Sequence, residues 1–265
     1  MNIFLHAAQV NKITLPPNIQ FHQARKIEGF FRKAKHPGLI CFPEIFLQEE
    51  VKPSTYDAAL LPRAKKYFSF LAGKYSLTVV MGSLIEKRGG RFYNTSYIIS
   101  SDGQILGRYD KQHLDGNERD WITAGKKMKR FSTPFGNLCV LICRDLLYPQ
   151  CSTDISASDC AVIACPSRWH ASCSSFPKEY QKGIAGSCPI EVDALVPARA
   201  FETSAAILFA NASGTSNYGT LLGKSQIAVP FKGTVARIPD NRQGVLIQEI
   251  SLSEIRKARK AYGFS

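Results

Sequence analysis

The sequence predicts an α/β fold in which parallel βαβ entries lead into antiparallel exits and helices cover the sheets. Short apolar runs of roughly four to eight residues recur between turn formers, and the stretches separating the first of them carry helical spacing. The order is strand, helix, strand, helix and then several consecutive strands. It loosely recurs after residue 138, and no Pro-, Gly- or Ser-rich linker divides the two parts. Residues 1–265 therefore read as a single domain made of two sheet-and-helix halves with an internal seam.

The first strand is "IFLHAAQ". In "NIQFHQARKIEGFFRKAK", Ala24, Ile27, Phe31 and Ala34 share one helical face, and "GLICF" is the next strand. Ala64, Tyr67, Phe68, Leu71, Ala72 and Tyr75 then repeat at helical spacing behind Pro62, a residue suited to a helix's first turn. The strands "LTVVMGSL", "NTSYIIS", "LCVLIC" and "CAVIAC" follow. A third helical stretch, "EVDALVPARAFETS", precedes "AAILFAN", "SQIAVP" and "GVLIQEI". The stretch 170–190 has no periodicity, and is expected to be either a lid or binding loop or a plain surface insertion.

A chain of 265 residues with 45% hydrophobic content can bury a substantial core. Lys plus Arg (34) less Asp plus Glu (21) leaves +13, a charge that attracts nucleic acid, anionic membranes or acidic partners. The positive residues are scattered, however. The densest clusters, "GKKMKR" at 125–130 and "RKARK" at 256–260, are short and lack interleaved aromatics. They read as a solvated surface, so no nucleic-acid partner is expected. No apolar run approaches the roughly 20 residues of a membrane span, so no membrane partner is expected either. The first twenty residues lack the features of a secretory signal, and the eight cysteines then read as free thiols in a reducing cytoplasm. Asn94 and Asn211 begin N-x-S/T triplets but sit in strand-like segments, and are taken as chance matches.

Several motifs fail. "GTLLGKS" has three residues between its glycines where a phosphate loop has four, and no G-x-G-x-x-G, H-E-x-x-H, G-x-S-x-G or C-x-x-C occurs. The five histidines are dispersed, so neither a metal nor a cofactor is expected. What remains are polar residues where strands end: Glu44 in "LICFPEIF", Lys111 in "LGRYDKQHL" and Cys143 in "LCVLICRD". Strand carboxyl ends of α/β sheets are where ligands usually bind. Each residue also has a bland role open to it. Cys143 could be a small buried hydrophobe, Glu44 a helix-start carboxylate and Lys111 a snorkelling edge residue.

These segments resemble the nitrilase superfamily of carbon-nitrogen hydrolases, in order and across nearly the whole chain. "CFPEIF", "GRYDKQHL" and "LICRDLLYP" are similar to its Glu, Lys and Cys motifs. "NTSYIISSDGQILGRYDK", "PSRW", "ARAFET", "FANASG" and "GKSQIAVPFKG" match further along. The resemblance implies a four-layer αββα sandwich of two mixed sheets with outer helices. It implies Cys143 as nucleophile, Glu44 as general base, Lys111 as the cation that stabilises the oxyanion, and Glu118 as a second glutamate supporting substrate placement. The backbone N–H of Arg144 is the companion oxyanion donor. Asp145 is assigned to holding the strand-end turn.

The implied reaction is hydrolysis of a small amide through a cysteine thioester. Nitrile-cleaving members usually follow the cysteine with Trp and Glu, whereas Arg144 and Asp145 stand here, which favours an amidase. A nitrilase, an N-carbamoyl amidohydrolase, or a non-catalytic basic binding or scaffold protein are the alternatives. Tyr56, Trp121, Arg168 and Trp169 are expected to line the cleft, with an arginine suited to a substrate carboxylate; the tryptophans could equally be core or interface residues. Family members usually pair through helices flanking the Cys motif and the C-terminal segment. A homodimer or larger assembly is therefore expected, with "LSEIRKARKAYGFS" as an interacting tail.

Overall fold

Neighbouring residues of the central strands enter different cores, which is why these strands read as unbroken apolar runs instead of alternating ones. On the first strand Ile3, Leu5 and Ala7 face one core, and Ala8 faces another. The computed structural model describes residues 1–13, 25–48, 52–156, 159–171 and 187–263. In chain order the first half comprises β1 (Asn2–Gln9), α1 (Arg25–Phe31), β2 (Gly38–Cys41), α2 (Leu60–Tyr75), β3 (Thr78–Val80), β4 (Leu84–Arg88), β5 (Arg91–Ile99) and β6 (Ile105–Asp110). The second comprises β7 (Arg130–Thr133), β8 (Gly136–Val140), α3 (Pro149–Ser156), β9 (Cys160–Ser167), α4 (Ser187–Thr203) and β10 (Ala206–Asn211). The short pair β11 (Thr215–Ser216) and β12 (Gly219–Thr220) follows, then β13 (Gln226–Val229), β14 (Gly233–Arg237), β15 (Gly244–Ser251) and α5 (Leu252–Ala261).

The first sheet runs β15-β1-β2-β3-β5-β4, with β6 also paired to β5; the second runs β14-β13-β10-β9-β8-β7. Each has three parallel strands at its heart, β1, β2 and β3 in one and β8, β9 and β10 in the other. Antiparallel strands flank them. This is the twofold repeat of order foreseen from the sequence. Leu5 pairs with Leu39 and Leu39 with Thr78, while in the second sheet Cys139 pairs with Ile163 and Ile163 with Ile207.

Three cores make four layers. Between the sheets lie Leu5, Leu39, Val80, Ile98, Leu138, Val140, Val162 and Leu208. Outside the first sheet, Phe42 and Val79 meet Phe31 of α1 and Phe68 and Leu71 of α2. Outside the second, Cys139, Ile163 and Phe209 meet Ile155 of α3 and Val192 and Val196 of α4. Each such fully buried aliphatic side chain contributes about 1.5–3 kcal/mol relative to an exposed one. The chain is thus the expected αββα sandwich. Helix α2 begins two residues before Pro62, and its buried residues include the predicted Ala64, Tyr67, Phe68, Leu71 and Ala72.

Some elements had no readable pattern. Strand β7 buries only Phe131, β14 is largely half-exposed or exposed, and α3 is mostly polar. The C-terminal stretch folds back on its own chain. Leu252 and Ile255 of α5 join the inter-sheet core, and Arg259 donates to Thr203 O at 3.0 Å and Ser156 O at 2.9 Å.

The expectation of eight free thiols needs correcting at one pair. Cys139 and Cys160, on the adjacent strands β8 and β9, form a disulfide with Cα atoms 6.1 Å apart. Sheet pairing brings together two positions 21 residues apart, which spacing in the chain does not disclose. Cys41, Cys143, Cys151 and Cys165 are free. Most of the aperiodic stretch 170–190, namely 172–186, lies outside the described residues. Among the described residues no helix is long and apolar enough to cross a membrane.

Candidate active site

Glu44 follows the end of β2, where Phe42 still donates to Val80 O at 3.0 Å and Glu44 N reaches Ser167 O of the second sheet at 3.3 Å. The next residue, Ile45, has φ +48°, a left-handed conformation uncommon for a β-branched side chain. Gly82 supports this corner with φ +73°; a Cβ there would collide with the Pro43 carbonyl. Lys111 follows β6, and its N–H donates to Asn94 O of β5 at 2.9 Å. Glu118 ends a one-turn 3₁₀ segment, Gly116–Glu118, entered from Asp115, whose N–H donates to Glu118 Oε2 at 2.8 Å. Cys143 opens a second 3₁₀ segment after β8 and has φ +47°. Strained residues of this kind cluster at functional sites.

The side chains converge where the two sheets meet. Lys111 Nζ stands 2.8 Å from Glu44 Oε1 and 2.8 Å from Glu118 Oε2. Asn94 Nδ2 donates to both carboxylates, at 2.9 Å to Glu44 and 2.8 Å to Glu118. Cys143 lies near enough to Glu44 and Lys111 for the charges of both to act on its thiol. Alone among the free described cysteines, Cys143 is only partly buried.

Burial raises the Glu44 pKa above its ordinary value, with Lys111 pulling back and Glu118 adding to the rise. Burial by itself lowers the Lys111 pKa, but the charges of Glu44 and Glu118 outweigh it and hold the ammonium well above its usual range. Burial, then the Glu44 charge, pushes the Cys143 thiol well up, against opposing pulls from Lys111 and the Arg168 backbone. The resting sulfur is therefore protonated, and a neighbouring base is needed to free it.

Asp145, wholly buried, holds the turn at Cys143: its Oδ2 accepts from Ile142 N at 3.0 Å. Its basic partner is His113, whose Nδ1 lies 2.9 Å from Oδ1. His113, Asp145 and Cys151 bring three ligand atoms within 4.8 Å of one another. Both carboxylate oxygens of Asp145 are already filled by protein donors and His113 Nδ1 faces Asp145, so a cation would have to displace these bonds.

The other expected residues divide. Arg168 lines a cleft with Glu44, Lys12, Thr215, Ser216 and Asn217. Tyr56 and Trp121 flank one ring, Phe92, with centroids 5.2 and 5.4 Å away. Trp169 packs instead against the core outside the second sheet, its backbone N–H donating to Asn211 Oδ1 at 2.9 Å. The guanidinium of Arg144, on the 3₁₀ segment, reaches Asp115 at 3.3 Å. Asn94 was missed. An amide in the middle of a strand was the available signal, since such a group must find partners once buried.

The carbon-nitrogen hydrolase family model matches residues 12–260. A probable nitrilase of Schizosaccharomyces pombe is 26% identical over 251 residues, covering 91% of this chain and 87% of that protein. A 2-oxoglutaramate amidase of Bacillus subtilis is 25% identical over 249 residues, covering 89% and 87%. In fold, the crystal structure of a carbon-nitrogen hydrolase from Helicobacter pylori G27 is similar with a TM-score of 0.84, at 21% identity over 99% of this chain and 94% of that one. Matched along almost its entire length, with a cysteine, a glutamate and a lysine gathered at one end of an αββα sandwich, the chain belongs to the carbon-nitrogen hydrolase family of enzymes.

Proposed function

We propose that the protein hydrolyses the C–N bond of a small amide through a thioester on Cys143. The observation that carries this reading is Lys111 Nζ held 2.8 Å from both Glu44 and Glu118, with Cys143 near enough for the charges of Glu44 and Lys111 to act on its thiol. In the proposed cycle Glu44 takes the thiol proton as sulfur attacks the amide carbon. The oxyanion is met by the Lys111 ammonium and the Arg144 N–H, donors that need no reorganisation when charge develops; one such donor is typically worth about 3 kcal/mol. Glu44 passes its proton to the leaving nitrogen, the C–N bond breaks, and ammonia or an amine departs. Glu44 next takes a proton from water, which attacks the thioester, and collapse releases the acid and restores the thiol. Glu118 and Asn94 hold Lys111 and Glu44 in place throughout.

On substrate, Arg168 supports an amide that also bears a carboxylate. It lines the cleft beside Glu44, is partly buried, and has no carboxylate partner among the described residues. The name of the similar 2-oxoglutaramate amidase points the same way. Trp121 and Tyr56, around Phe92, are our further choices for substrate contacts, and Trp169 is the weaker one because it faces a core. We read residues 1–265 as one catalytic domain acting as a homodimer or larger, in the cytoplasm.

The test is ammonia release over a panel of ω-amides of dicarboxylic acids, neutral amides, nitriles and carbamoyl amino acids, with Cys143→Ala alongside. Release from carboxylate-bearing amides, abolished in the variant, is expected. Full turnover by Cys143→Ala would end the assignment. So would a panel without turnover in which an activated ester also leaves no acyl mass on Cys143.

A further inference from the structure

Lys111 and Cys143 hang from different sheets, the lysine after β6 of the first and the cysteine after β8 of the second. What lies between the sheets is chiefly apolar contact, which is non-directional and tolerates small shifts. Reacting groups need placement to about 0.5 Å. Some directional tie must join the two segments.

We propose that Asp145 is the positioning residue that fixes the separation of Lys111 from Cys143 across the sheet interface. Its side chain is completely buried. Oδ1 accepts from His113 N at 2.8 Å and His113 Nδ1 at 2.9 Å, while Oδ2 accepts from Tyr109 Oη at 2.8 Å and Ile142 N at 3.0 Å. Tyr109 and His113 stand two residues to either side of Lys111, and Ile142 directly precedes Cys143. One carboxylate therefore grips both flanks of the lysine and the approach to the cysteine. A residue serving only the Cys143 turn would need the Ile142 N–H alone, yet three of the four donors come from the lysine segment. Those donors are themselves held. Gln112 Nε2 donates to Tyr109 Oη at 3.0 Å, and the His113 ring stacks on Tyr148 with centroids 3.6 Å apart. The Ile142 bond also closes the turn that keeps Cys143 at φ +47°, a conformation costing roughly 1–2 kcal/mol.

This inference rests on Cys143 and Lys111 being the reacting pair, so its test reads the thiol directly and needs no turnover. The rate of Cys143 alkylation by iodoacetamide is followed by peptide mass spectrometry from about pH 6 to 10 in wild type, Tyr109→Phe and Asp145→Asn. The asparagine cannot accept all four bonds, and the phenylalanine deletes one donor at constant shape. With the ammonium no longer held close, both variants, folded at the assay temperature, should alkylate at least about fivefold more slowly than wild type across the pH series. In a Lys111→Met background the same changes should have no further effect, as expected when one residue acts through the other. Folded variants that alkylate at the wild-type rate, or slowing that persists without Lys111, would overturn the proposal. Should Asp145→Asn fail to fold, Tyr109→Phe decides. A wild-type Cys143 that no ester acylates would count against the hydrolase reading, and the alkylation ratios would still judge Asp145.

Discussion

The Lys111 ammonium stands 2.8 Å from the Glu44 carboxylate, with 2% and 5% of the two side chains exposed. A buried ion pair is weak evidence of stabilisation, but removing one partner is costly because the other charge is left uncompensated. Lys111→Met strands both Glu44 and Glu118. It should lower kcat by at least about 100-fold and unfolding free energy by about 3 kcal/mol at neutral pH. Urea unfolding at neutral and acid pH checks the origin of the loss, which should shrink at acid pH where the carboxylates take up protons.

The pH profile carries the next test. In the proposed cycle Glu44 must be ionised to take the thiol proton, so kcat/KM should fall as pH drops through its raised pKa. The acid limb is expected above the ordinary carboxylate range. Glu118 contributes to that rise, so Glu118→Gln should move the limb to lower pH. A limb that stayed in place, or moved upward, would contradict the coupling.

Asn94 spans the two carboxylates with one amide nitrogen. Asn94→Ala removes both bonds, each worth about 1 kcal/mol, and should cost roughly tenfold in kcat. Asn94→Asp is expected to cost more, about 100-fold, because it sets a third carboxylate beside two others. The comparison of the two kcat values, with circular dichroism to verify folding, separates lost hydrogen bonding from added charge.

His6 predicts an acid-labile fold. Its ring is fully buried, with Nδ1 3.1 Å from Leu39 O and Nε2 accepting from Lys35 N at 2.9 Å, so the neutral Nδ1–H form is built in. Burial lowers its pKa from 6.5 to about 4. Between those values the unfolded chain binds more protons than the folded one, so stability falls as pH is lowered through the window, by about 3 kcal/mol in all. Unfolding free energies measured at pH 7 and near pH 4 should converge for His6→Gln relative to wild type. An equally steep decline in the variant would assign the acid sensitivity elsewhere.

Much of this was legible in the residues. Strand runs such as "LCVLIC" and "AAILFAN" are apolar on both faces because each face enters a core, and that burial is local enough to read. Glu44 and Cys143 could be picked out because polar groups after apolar strands stand out, and all three, Lys111 included, because their surroundings match a family in order. Asp145 could be assigned to its turn from sequence, since the Ile142 bond spans only three residues.

Other features belong to the tertiary structure alone. Asn94 looked like a chance glycosylation triplet until β5 pairing carried it between Glu44 and Glu118. The grip of Asp145 on Tyr109 and His113, the Cys139–Cys160 bond, and the turning of Trp169 into a core all join positions 21 or more residues apart, or depend on which face a strand end presents. Periodicity records how one segment divides between water and core. Which segments then meet depends on sheet register and on how two sheets stack, and those are settled by the packing of the whole chain.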